Sequence, residues 1–283
     1  MSQSELEKLI ARVGDLPAMP VVAVKVMSMI GDPSISANHL QAMISRDQAL
    51  TVKVLKIANS AMFGVSRDIT TLSHAIVILG FSTIRSIVLA ASSKSIYARG
   101  PSTQMFSTKL LWEHSLASAV IARRSSEMLG AADIEKAFIA ALLHDIGKSV
   151  LNVNFSDKYH QIIEEVYNTG SDFIPNEQRI LGFDHTQVGS LVLHKWNLAP
   201  ELEEAVLHHH TPYQAEHNPK LTAIVSFANA LSNKLGIGPT KKPAVEMEET
   251  EAVKILGLAD DKLAELVQHV SDLLEEDREI FEF

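Results

Sequence analysis

Asp133-Ile-Glu-Lys-Ala-Phe-Ile-Ala-Ala-Leu-Leu-His-Asp-Ile-Gly-Lys148 is the stretch whose reading decides the fold. Asp133 and Glu135 stand where a helix N-terminus favours acids. The run Ala137–Leu143 is apolar throughout, too uniformly for a surface helix, so it reads as a core helix. It ends on a polar pair, His144-Asp145. A charged pair at the end of a buried helix must be hydrogen-bonded, solvated or bound to a cation, because a bare buried charge is costly. From the residues alone, a His–Asp hydrogen bond closing the helix end explains the pair as well as a metal does.

The same pattern extends outward. Val21–Ile30 has helical spacing and stops at Gly31-Asp32-Pro33. Ser36 and Asp47 are placed to cap the next two helices, the second with Leu50, Val54, Leu55 and Ala58 on one face. Thr71–Leu79 reads as a helix closed by Gly80, and Ser82 can cap Ile84–Ala91. Thr186–Trp196, Pro200–His208 and Leu221–Leu235 follow. No segment alternates with period two, so the expected fold class is all-α without a sheet. Three regions are expected: an N-terminal helical bundle at 1–108, a second bundle at 109–235, and an acidic helical extension at 236–283. Ala98–Thr103 is the joint between the first two. The extension carries thirteen acids from Glu246 onward against Lys254, Lys262 and Arg278, which accounts for the chain's net charge of −9. Its expected helix, Asp260–Glu276, places Leu263, Leu266, Val267, Val270 and Leu274 on one side.

Composition excludes several classes. There is no cysteine, so neither a disulfide framework nor a thiolate metal site is available. No basic stripe is present, which argues against DNA as a partner. No apolar run approaches the roughly 18 residues that cross a bilayer, and the first sixteen residues lack a signal-peptide core. A cytoplasmic protein without a membrane partner is expected.

Nine of the twelve histidines fall in 109–235. His114, His144, His185, His209 and His210, with Asp145, are the candidates for a metal centre, since imidazole and carboxylate donors together suit Fe, Mn, Zn or similar ions. Spacing does not show that they converge. His208 competes with its neighbours for the same role. Arg123-Arg124 reads as paired surface charge, and Trp112 and Trp196 as packing anchors.

His144-Asp-Ile-Gly-Lys148, with a histidine thirty residues upstream, resembles the HD superfamily of metal-dependent phosphohydrolases. Leu16-Pro-Ala-Met-Pro20, Asp32-Pro33, Asp47-Gln-Ala-Leu-Thr51, Asn59-Ser-Ala61 and Ala75-Ile-Val-Ile-Leu-Gly80 narrow the resemblance to the HDOD family, as do Trp196-Asn-Leu-Ala-Pro200 and His209-His-Thr-Pro212. The resemblance covers roughly 13–235. It implies an N-terminal helical bundle packed on an HD-like bundle and a role in bacterial signal transduction, with two-component or cyclic-dinucleotide proteins as partners. It also implies a divalent metal (Fe, Mn, Zn or Mg) held by His114, His144, Asp145, His185, His209 and His210. Asp145 would bridge two ions, and Lys148 would face a substrate phosphate; these two are the catalytic residues if the chain is an enzyme. Three departures stand out. Asn229 lies where the related phosphodiesterases have an aspartate, and would be a weak ligand. Thr211-Pro-Tyr-Gln214 replaces their GYP element. Their additional glutamate has no counterpart, although Glu113 adjoins His114. The preferred reading is a non-catalytic output module acting by partner or ligand binding. The alternative is a phosphohydrolase acting on a nucleotide or cyclic dinucleotide. A homodimer is left open.

Overall fold

A computed structural model describes residues 9–27, 37–97, 105–240, 242–277 and 280. The expected stop at 31–33, the cap at Ser36 and the joint at 98–103 lie outside the described residues. The structure is 76% helical, and no strand occurs among the described residues. Periodicity and capping therefore identified the fold class correctly.

The helices are α1 (Val21–Met27), α2 (Ala37–Ile44), α3 (Gln48–Ala58), α4 (Leu72–Tyr97), α5 (Met105–Leu129), α6 (Ile134–Leu143), α7 (Ile146–Asn154), α8 (Ser156–Thr169), α9 (Phe173–Leu181), α10 (His185–Lys195), α11 (Pro200–His208), α12 (Pro219–Lys234), α13 (Glu251–Leu256) and α14 (Asp260–Glu276). Two caps act where the sequence placed them, whereas Ser82, expected to cap Ile84–Ala91, lies inside α4 and its hydroxyl accepts from the Arg85 side chain instead. The Asp47 carboxylate accepts from Leu50 N at 2.9 Å, and that of Asp133 from Lys136 N at 2.9 Å. Asp184 and Gln187 form a reciprocal capping box at the start of α10.

Two compact units form, one from 1–18 with 96–271 and one from 19–95 with 272–283. The divisions fall elsewhere than at the expected 108/109 and 235/236 boundaries. In the smaller unit Asn59 ends α3 by bonding backbone on both sides: its Nδ2 donates to Leu55 O and Ile69 O, and its Oδ1 accepts from Ile69 N. The Asp277 carboxylate accepts from Ala61 N at 2.5 Å and Met62 N at 2.9 Å, which ties the chain's end to the segment after Asn59.

Helix α4 alters one expectation. By length and composition Leu72–Tyr97 could cross a membrane, with a mean hydropathy of 1.9 over its most apolar window. Yet 56% of that window is buried in the protein, and Gly80 breaks the helical path with φ 80° and ψ 165°. It is built as two core helices joined at the glycine where the sequence reading ends the first.

In the larger unit all seven residues Ala137–Leu143 of α6 are buried, and α6 is packed against α5, α11 and α12. Helix α7 lies on α10. Gly147 makes that approach feasible, since a Cβ there would stand 2.0 Å from His185 O and 2.8 Å from Gly189 N. Residues 12–17 are strapped to this unit: Arg12 donates to Leu181 O, Asn154 to Val13 O and Asp15 O, Lys195 to Leu16 O, and the Trp196 indole to Pro17 O.

Candidate metal centre

The junction of α6 and α7 sets His144 and Asp145 at the centre of the larger unit, both without solvent exposure. Around them α5 supplies His114, the first turn of α10 supplies His185, the end of α11 supplies His209 and His210, and α12 supplies Asn229. The two Asp145 oxygens face different partners. Oδ2 lies 3.5 Å from His144 Nε2, 3.6 Å from His114 Nε2 and 2.6 Å from Lys148 Nζ. Oδ1 lies 3.4 Å from His185 Nε2 and 3.8 Å from His209 Nε2. His210 stands exposed at the rim, its Nε2 3.3 Å from His185 Nε2. All the expected metal-ligand candidates thus converge.

Four imidazoles are held the same way. His144 Nδ1 meets Ala141 O at 2.6 Å, His209 Nδ1 meets Val206 O at 2.7 Å, and His114 Nδ1 meets Ile237 O at 3.0 Å. His185 Nδ1 meets the Glu177 carboxylate at 2.7 Å. Carbonyls and carboxylates only accept, so each Nδ1 carries the hydrogen and donates, and each ring turns its Nε2 toward Asp145. His144 Nε2, His209 Nε2 and Asp145 Oδ1 are buried with no hydrogen-bond partner. Asn229 Oδ1 lies 3.0 Å from His114 Nε2. Acceptors facing acceptors in a buried setting are costly, and a divalent cation is one species that could satisfy them together. Two triads have the proximity to hold one: His114, His144 and Asp145; and His185, His209 and His210.

Protonation states agree with that function. Burial pushes the His144 pKa down to about 4, against the pull of Asp145. Burial also lowers His114 and, strongly, His209. For Asp145 burial acts upward, but His144, Lys148, His185 and His114 around it overcome that and hold the carboxyl well below its usual range. Near neutral pH His114, His144 and His209 are therefore neutral and Asp145 is a carboxylate, the forms that bind metals.

Two contributors escaped the sequence reading. Glu177, fully buried on α9, accepts from Tyr159 Oη at 2.8 Å and His185 N at 2.9 Å as well as from His185 Nδ1. Phe173, Glu177 and Leu181 are buried at four-residue intervals, so an acid on an apolar helical stripe was the available signal. The second is the 236–240 segment, which the sequence reading assigned to the start of the acidic extension. Its Ile237 carbonyl orients His114, and Gly238, at φ 113°, lies so close that a Cβ would stand 2.7 Å from His114 Cβ.

Other candidates point elsewhere. Glu113 pairs with Lys109 at 3.4 Å. His208 is half-exposed, with Glu204 and Glu216 as its charged neighbours. Arg123 is paired with Glu135 and Glu127, and Arg124 with Glu127. Lys148 is buried, with its ammonium 4.3 Å from the centre of the Phe173 ring. A cavity of about 260 Å³ opens beside Lys148, His209, His210 and Asn229. Thr250 and Glu251 also line it, so part of the acidic extension borders the cavity.

Residues 16–212 match the family model of the HDOD domain. The chain belongs to the HDOD family. Its fold is shared by an HDOD domain protein of unknown function from Geobacter sulfurreducens (TM-score 0.83, 23% identity, 98% of this chain and 96% of that one). A Shewanella amazonensis SB2B protein provisionally named a phosphohydrolase aligns with TM-score 0.76 at 22% identity over 97% of both chains. A Marinobacter aquaeolei VT8 protein provisionally named for signal transduction aligns with TM-score 0.70 at 17% identity, over 98% of this chain and 64% of that one. Likeness at such identity establishes the fold alone. An uncharacterised protein of Treponema pallidum (strain Nichols) is 26% identical over 239 residues, and this HDOD chain spans 80% of itself but only 45% of that protein in the match.

Proposed function

We propose that this HDOD protein is a cytoplasmic bacterial signal-transduction output module. Its HD-type centre holds a divalent ion as part of the fold and does not hydrolyse phosphodiesters. Partners are proteins of two-component or cyclic-dinucleotide systems, met through a surface whose packing answers to the state of the centre.

One observation carries the non-catalytic reading: the charge around Asp145. Phosphoryl hydrolysis by a two-metal centre needs both ions side by side, and anionic ligands make that proximity tolerable. Among the described residues Asp145 is the one carboxylate set toward the imidazole Nε2 atoms, Glu177 standing behind His185, and its Oδ2 already carries the Lys148 ammonium at 2.6 Å. Asn229, at the position of the relatives' aspartate, is neutral.

A second reading, a metal-dependent phosphohydrolase acting on a nucleotide or cyclic dinucleotide, is favoured by the cavity of about 260 Å³ that opens onto the cluster beside Lys148. Assay of the natural chain with Mn and Fe against cyclic dinucleotides separates the two. No turnover is expected. Robust turnover abolished by Asp145→Ala would overturn the proposal in favour of the second reading.

A further inference from the structure

We infer that the centre binds one divalent ion, on the face formed by His185, His209, His210 and Asp145 Oδ1, and that the Lys148 ammonium stands in for an ion on the opposite face. The inference rests on the proposed reading of a retained but non-hydrolytic metal centre and assigns the ion to one half of it.

The two faces share Asp145 but differ in what else they hold. On the His114–His144 side the facing oxygen, Oδ2, is engaged by Lys148 Nζ at 2.6 Å. An ion drawing on that oxygen would have a full positive charge for a neighbour in a buried setting, where repulsion is weakly screened. Lys148 is held there by more than the carboxylate: its side chain is 6% exposed, and the ammonium rests on the Phe173 ring. The remaining oxygen on this side, that of Asn229, is a neutral amide already accepting from Asn233 Nδ2 at 3.1 Å.

The other face is prepared in the opposite sense. Here the carboxylate oxygen itself is open: Asp145 Oδ1 and His209 Nε2 are buried with no partner, whereas on the Lys148 side only a ring nitrogen, His144 Nε2, is left so. His185 is backed by the Glu177 carboxylate, which fixes its ring and makes its Nε2 a better donor. His210 closes the set from the rim, so the ion has a route from solvent. The separations of 3.3, 3.4 and 3.8 Å among these atoms bracket the edge of about 3.4 Å expected for tetrahedral ligands at zinc-like bond lengths. Three imidazoles and one carboxylate oxygen suit Zn, Fe(II) or Co(II) better than Mg.

The test strips the full chain with a chelator and titrates it with Co(II), following heat and the visible absorption of the bound ion. One equivalent is expected. His210→Ala, a change at an exposed position, should weaken binding by at least about tenfold and bleach the band, while His114→Ala should leave affinity within about threefold. Lys148→Met, which removes the charge and keeps the bulk, should admit a second equivalent. Circular dichroism confirms that each variant is folded. Two equivalents in the natural chain, loss of binding in His114→Ala with retention in His210→Ala, or no binding at all would each overturn the assignment. Turnover of a cyclic dinucleotide by a chain with one equivalent on the imidazole face would overturn the functional reading and leave the assignment standing.

Discussion

Asn229 Oδ1 faces His114 Nε2 at 3.0 Å, although the His114 hydrogen is committed to Ile237 O on the far side of the ring. The pair has the geometry of two ligands without the charge to hold an ion firmly. Asn229→Asp restores an anion of the same shape. Its expected effect is to tighten binding of a second equivalent of Mn or Fe, most clearly when combined with Lys148→Met, and to raise phosphodiester hydrolysis above the level of the natural chain. Elemental analysis and a turnover assay on the same preparation check both. A variant that binds a second ion yet stays inactive would place the block elsewhere than the missing carboxylate.

Glu177 shapes the centre from behind His185. Glu177→Gln keeps the volume but offers an amide where a carboxylate accepts from Tyr159 Oη, His185 N and His185 Nδ1. An NH₂ group then meets a hydrogen that was satisfied, and His185 loses its orientation. Metal affinity should fall by about 10- to 100-fold, the usual effect of removing such a support. Calorimetric titration gives the number; an unchanged affinity would mean that His185 does not bind the ion.

What the sequence disclosed and what it hid divide along a physical line. Helices at the centre were legible because their signals are local: Asp133 caps and Ala137–Leu143 is apolar throughout. Candidate ligands were legible because His144-Asp145 ends that apolar helix and the other histidines follow the order that the family resemblance implies. Glu177 was not, since its role depends on α9 lying against α10, and α9 is nine residues long with mixed polarity. The Ile237 carbonyl could not be read at all, because every residue has one. Asp277 was hidden among many acids of the extension until the fold set it against Ala61 and Met62.

Gly147 is a packing requirement of the site. A Cβ there would stand 2.0 Å from the His185 carbonyl oxygen, and backbone cannot yield as a flexible side chain does. Gly147→Ala should force α7 and α10 apart. The expected cost is about 1–3 kcal/mol or more, as for other overpacked interiors, accompanied by weaker metal binding because His185 moves with α10. Urea unfolding with a parallel Co(II) titration tests this. A stable variant with native metal affinity would contradict the close helix approach.

The acidic extension should contribute stability without supplying ligands. Leu263, Leu266, Val270, Leu273 and Leu274 of α14 are buried, and Asp277 closes two backbone donors near Asn59. Removing residues 260–283 uncovers the apolar surface that the stripe packs on and orphans those donors, so the midpoint of denaturation should fall or the chain should associate. Asp277→Asn is the smaller probe and should lower stability by about 1 kcal/mol. Metal affinity should survive in any truncated chain that remains folded. Its loss with helicity intact would bring the extension into the centre.

Stability should also depend on pH in a direction set by the buried imidazoles. His144 has a folded pKa of about 4, below its ordinary value near 6.5, and burial moves His114 and His209 the same way. Between those values the unfolded chain binds protons that the folded chain refuses. Stability is therefore fully present above about pH 6.5 and declines as pH falls toward 4, with His144 alone accounting for roughly 3 kcal/mol. Asp145, held well below its usual pKa, adds a loss of the same sign at still lower pH. Protons compete with the metal for the same lone pairs, so ion release and loss of stability should run together. Chelated protein separates the two effects: its unfolding free energy, measured in urea from pH 7.5 to 4.5, should still fall with acid. A flat profile for the chelated protein, with acid sensitivity appearing only when the ion is present, would show that the imidazoles are not held neutral by the fold itself.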